Sequence, residues 1–109
     1  MSYDDAVAKR VRKVLAQRRN VAERRMFGGL TFMVGGHMAC GIIGDELMVR
    51  VGPDAYPEAL ADRHAREMDF TGTPLKGFVF VAPKGFATDD ALRAWVDRAV
   101  EFVKTLPVK

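Results

Sequence analysis

The sequence predicts an α+β domain: an antiparallel sheet of four to five strands, with an N-terminal helix, a short middle helix and a C-terminal helix packed on it. Three observations carry this. Residues 26–51, MFGGLTFMVGGHMACGIIGDELMVRV, are short apolar runs rich in β-branched and aromatic residues. Glycines cut them too often for any helix interior. Two of the cuts, Gly35-Gly36 and Gly44-Asp45, suit two-residue hairpin turns, whose central residues need positive φ. Near the end of the chain, Leu92, Trp95, Val96, Ala99, Val103 and Leu106 recur at helical spacing.

The totals set the class. A chain of 109 residues is one domain by length, taken here as 1–109. With 49% hydrophobic residues it can bury a core without staples. A charged fraction of 28% marks a soluble globular class. No run approaches the roughly 18 apolar residues of a membrane span. The start, MSYDDAVAKR, lacks the apolar centre of a signal peptide. Cys40 is the only cysteine, so no internal disulfide forms, and a cytoplasmic location is expected.

The first helix is expected over residues 4–16, capped by Ser2 or Asp4, with Val7, Val11, Val14 and Leu15 on one face. Lys9, Arg12 and Lys13 fall opposite. Continuing the helix would place Arg18 on the apolar stripe, so it ends near Gln17, and Arg18-Arg19-Asn20 reads as a loop. Residues 21–26 form an edge strand whose charges, Glu23, Arg24 and Arg25, discourage edge pairing.

Strands follow over residues 30–34, 38–43 and 47–51. A turn at Gly44-Asp45 sets Ile42 opposite Leu47, Cys40 opposite Val49 and Met38 opposite Val51, one apolar face. Ala39, Gly41, Met48 and Arg50 then point the other way. The preceding hairpin has two solutions. A two-residue Gly35-Gly36 loop puts Thr31 and Met33 on the core face. A longer loop bulged at the glycines puts Leu30, Phe32 and Val34 there. The second gives the cleaner apolar face and is preferred.

Gly52-Pro53-Asp54 breaks the sheet. A short helix is expected over residues 54–62, with Pro57 tolerated in its first turn. Residues 63–67 are polar and read as a surface crossing. Met68 and Phe70 return to the body, residues 71–74 form a turn, and residues 78–82 form the last strand. The final helix, capped by Thr88 or Asp89, turns Arg93, Asp97, Arg98, Glu101 and Lys104 to water and places Phe102 at the edge of its stripe. Pro107 ends it.

Chemistry is sparse. His37 and Cys40 are three residues apart on one strand, hence on opposite faces, and Cys40 reads as a small core hydrophobe. His37 is expected at a solvated hairpin tip, and His64 on the surface. One cysteine and two separated histidines give no zinc spacing. Gly28-Gly29 precedes a strand without a GxxxxGK[ST] pattern, so it is no phosphate loop, and turn angles or close backbone packing explain it. No catalytic, metal or cofactor constellation is found, and the chain is not expected to be an enzyme. Arg50 is the one charge inside an apolar strand run. It pairs with a carboxylate on the outer face or marks a binding surface.

Charge is uneven. Residues 1–25 hold eight basic and three acidic residues, a net of +5, while residues 26–109 carry −2. Lys9, Arg12, Lys13, Arg18, Arg19 and Arg50 are therefore the candidate contact residues for a partner or for nucleic acid. No aromatic residue interleaves the basic ones between Asp4 and Met26, so nucleic-acid binding here would be backbone-directed and weak.

The run MFGGLTFMVGGHMACGIIGDELMVRVG, the following MDFTG and KGFVFVAP, and a closing amphipathic helix bearing Trp95 resemble the N-terminal domain of the TfoX/Sxy family, bacterial competence regulators and their single-domain relatives. The resemblance implies an α+β fold and a regulatory role through protein–protein contact in transcriptional control. It implies a cAMP-receptor-type transcription factor as partner, and no catalytic residues. Full-length members carry a C-terminal helical domain, which is not expected in residues 1–109. Weak nucleic-acid binding through the basic N-terminal region is the alternative, and a second copy of the chain is a further candidate partner.

Overall fold

The computed structural model describes residues 3–26, 28–68 and 76–107. Ser2 as a cap, Phe27 of the MFGG motif, the Phe70 anchor and the turn at 71–74 lie outside the described residues. The order is α1 (Asp5–Leu15), β1 (Val21–Met26), β2 (Gly29–Val34), β3 (His37–Ile43), β4 (Glu46–Arg50), α2 (Tyr56–Leu60), β5 (Ala65–Glu67), β6 (Phe78–Val81), a 3-10 turn (Pro83–Phe86) and α3 (Asp89–Val103). The strands form one antiparallel sheet in the order β1-β2-β3-β4-β6-β5. The α+β class holds, with six strands where four or five were expected. The addition is β5, in the polar segment read as a surface crossing. Ala65, Arg66 and Glu67 have no strand pattern of their own and are extended because they pair with Val81, Phe80 and Val79.

The starts of the two long helices are set by side chains. Asp4 Oδ1 accepts from the amides of Ala6 (2.8 Å) and Val7 (3.4 Å), and Thr88 Oγ1 accepts from Ala91 N (3.1 Å). The buried faces then follow the helical period. Val7, Ala8, Val11 and Leu15 of α1, with Leu92, Trp95, Val96, Ala99, Val100 and Val103 of α3, cover Leu30, Phe32, Cys40, Ile42, Leu47, Val49, Val79 and Val81 of the sheet. Trp95 Nε1 donates to the Gly85 carbonyl (3.1 Å), so its one polar atom is matched inside the core.

The Gly44-Asp45 hairpin has the expected register, Ile42 with Leu47 and Cys40 with Val49. The preceding hairpin combines the two expected solutions. Gly35 (φ 60°) and Gly36 (φ 86°) form a two-residue turn joining Val34 to His37. The bulge is not at the glycines. It lies in β3, where Phe32 pairs with Cys40 but Met33 pairs with Met38, leaving Ala39 as the extra residue. Leu30 and Phe32 thus reach the core as preferred. The pairing of Met38 with Val51 is overturned: the bulge rotates Ala39 into the core and sends Met38 to the outer face beside Met33.

The glycine pair of the MFGG motif divides its labour. Gly28 takes φ 73°, while a Cβ on Gly29 would collide with the Ile42 carbonyl oxygen. On the outer face Met48, Met68 and Phe80 form a small second cluster, edged by Ile43 and Phe78. Among the described residues no helix is long and apolar enough to cross a membrane.

Candidate functional site

Helices α1 and α3 lie side by side on one face of the sheet. Beyond the last turn of α1 they diverge around the Gly35-Gly36 turn and leave a cleft of about 580 Å³. Its floor is apolar, with Val14, Val34, Val100 and Val103. Its rim is basic, with Arg18, Arg19, Arg93 and Lys104 against, among the described residues, the single carboxylate of Asp97. Arg18 Nη2 bonds Asp97 Oδ1 at 3.0 Å across the cleft, and Lys104 pairs with Glu101 at 3.1 Å. Among the described residues nothing engages Arg19 or Arg93 by ion pair or hydrogen bond. Two unneutralised guanidinium groups thus stand over an apolar recess.

Local backbone explains the rim. The chain leaves α1 through a turn closed by Arg18 N to Leu15 O (3.0 Å), and Asn20 then takes φ 62°. Asparagine tolerates that left-handed conformation better than most residues. Gly35 N donates to Asn20 O (3.0 Å), tying the loop to the hairpin tip.

The expected contact residues part company. Arg12 is occupied: Nε and Nη2 fork onto both oxygens of Glu23 at 2.8 and 2.9 Å, clamping α1 to β1. That bond holds the Glu23 carboxyl below, and the Arg12 guanidinium above, their ordinary ranges. Arg18 is held by Asp97, and Arg19 stands free at the cleft. Among the described residues Lys9 and Lys13, exposed on α1, meet no partner, nor do Arg24 and Arg25 on the edge strand. Arg50 is on the far face of the sheet, bonded to the Met38 carbonyl rather than to a carboxylate. The six candidates therefore do not form one surface. Sequence reasoning missed Arg93 and Asp97 as site residues. Arg18 and Asp97 are 79 positions apart, and no local pattern signals their meeting.

Cys40 has no exposed surface, and burial pushes its thiol up to about 12. His37 is part-exposed at the hairpin tip, and its Nε2 donates to the Pro107 carbonyl where the chain leaves α3. Among the described residues no group of three His, Cys, Asp or Glu could hold a metal ion.

A family model for the TfoX N-terminal domain matches residues 13–103. No curated protein matches the chain, and no solved structure does. The match takes in the end of α1, the whole sheet and α3, the elements that build the cleft. The chain belongs to the TfoX N-terminal domain family.

Proposed function

We propose that the protein is a regulatory interaction domain acting by protein–protein contact in transcriptional control, with the cleft between α1 and α3 as its contact surface. The observation that supports this is the pairing of an apolar floor with unneutralised Arg19 and Arg93. An acidic protein segment carrying apolar side chains uses both features. A phosphate backbone gains nothing from Val14, Val34, Val100 and Val103. The Arg18–Asp97 pair adds little resistance, since its side chains are 31% and 43% exposed and such pairs contribute about 0–1 kcal/mol. Arg18 can therefore turn to a partner carboxylate at small cost. Family resemblance supports a cAMP-receptor-type transcription factor as that partner.

The test is titration of the purified protein against a fluorescently labelled factor of this type, with cAMP. Saturable binding is expected, weakened at least about tenfold when Arg19→Glu and Arg93→Glu are combined, a change worth about 1.4 kcal/mol. Circular dichroism checks that the variant folds. Undiminished binding by the variant, or none by the wild type at low salt, contradicts the proposal.

Backbone-directed nucleic-acid binding has its own support. Lys9, Lys13, Arg24 and Arg25 are exposed along α1 and β1 and unpaired among the described residues. Labelled duplex DNA, titrated at two salt concentrations, separates the two readings.

A further inference from the structure

The outer face of the sheet holds a second groove, of about 500 Å³, at the end where α3 runs out. Met26, Met33, Met38, Phe78 and Leu106 make its lining largely apolar. Thioethers are polarizable and adaptable, and suit ligands of variable apolar shape. Among the described lining residues Arg50 is the only Lys, Arg, Asp or Glu. Its guanidinium lies 5.3 Å from the Phe78 ring centre and 5.4 Å from that of Phe102. Nη1 donates to the Met38 carbonyl at 3.3 Å.

A guanidinium has five N–H donors. Among the described residues Arg50 meets one protein acceptor and no carboxylate. Ring faces stabilise the cation but leave its in-plane donors unmatched. Partial burial holds its pKa below the ordinary arginine value, as expected for a charge that has lost water without gaining an anion.

We infer that this groove binds a small straight-chain carboxylate, its head on the free edge of Arg50 and its chain along Met33, Met38 and Met26. The arginine fork matches a carboxylate, and the volume lies within the range of small-ligand sites. One cation in an apolar lining matches a ligand with one charge and a long apolar part. A peptide would leave backbone amides unmatched there. The groove adjoins the α1–α3 cleft, with His37 and Leu106 lining both, but the inference rests on Arg50 and the methionines and not on the protein-contact reading.

Methionine methyl groups report on it directly. In protein carrying carbon-13 methionine methyls, decanoate is titrated below its micelle concentration, beside decanol. Saturable shifts are expected at Met33 and Met38, larger than any at Met48 and Met68, which are fully buried behind Phe78. Decanoate should bind at least about tenfold tighter than decanol, and Arg50→Gln should remove that difference. Arg50→Lys, which keeps the charge and loses the fork, should fall between. Equal affinity of wild type for decanoate and decanol, absence of shifts, or shifts largest at Met48 and Met68 would overturn the inference. So would tighter binding of a capped peptide with one glutamate and three leucines, which would reassign the groove to a protein segment.

Discussion

Cys40 sits in the middle strands with its thiol pushed up to about 12 by burial. Thiolate is therefore scarce near neutral pH, and thiol reagents should label native protein slowly and unfolded protein fast. Cys40→Ser should destabilise by about 1–3 kcal/mol in a denaturant titration, the cost of a buried hydroxyl without an assured partner. Fast native labelling would show that β3 does not bury this residue. Trp95, 5% exposed and bonded to Gly85, plugs the gap between α3 and the 3-10 turn. Trp95→Ala should cost about 3–5 kcal/mol, and native fluorescence should be blue-shifted and move red on unfolding. Gly29→Ala drives a methyl into the Ile42 carbonyl and should cost about 1–3 kcal/mol by overpacking. A Gly29→Ala variant as stable as wild type would mean that β2 and β3 are not so closely apposed.

At the scale of elements, local chemistry made most of the fold legible. Glycine pairs, an aspartate cap and a clear apolar stripe each have one local solution, and the hairpins and both long helices followed from them. Elements defined by a neighbour were not legible. β5 is a strand only because β6 lies beside it, and the bulge at Ala39 satisfies the turn and the core face together, a compromise invisible in either strand alone. The Arg12–Glu23 clamp was hidden for the same reason, since Arg12 looked like a solvated helix face. Its pH behaviour follows from the depressed Glu23 pKa. The unfolded chain takes up the proton more readily, so the clamp is complete above the ordinary glutamate value of about 4.3 and is lost as pH falls through the folded value. Both side chains are over one-third exposed, so a double-mutant cycle with Arg12→Ala and Glu23→Ala should give a coupling of only about 0.2–1 kcal/mol at pH 7, shrinking as pH is lowered toward about 3. Equal coupling at both values would show that the pair is not ionic.

Across the whole molecule, charge that is clustered in sequence is dispersed in space. Of the basic residues in the first 25 positions, Arg10, Arg12 and Arg18 are spent on Asp89, Glu23 and Asp97. Those left free are divided among the α1 face, the β1 edge and the cleft. Duplex binding through the α1 and β1 cations would use about three to five phosphates and show a log–log salt slope of about −3 to −4.5. The candidate site itself was only half legible: composition pointed to Arg18 and Arg19, but the apolar floor and Arg93 exist only once α3 crosses the hairpin tip. The central claim is that this cleft receives the partner. Amide hydrogen exchange of the protein with and without saturating cAMP-receptor-type transcription factor tests it most directly. Slowed exchange confined to the Arg18–Asn20 loop, the Gly35-Gly36 turn and the last turn of α3 is the predicted result. Slowed exchange confined to β1, or to the exposed turns of α1 alone, would contradict it.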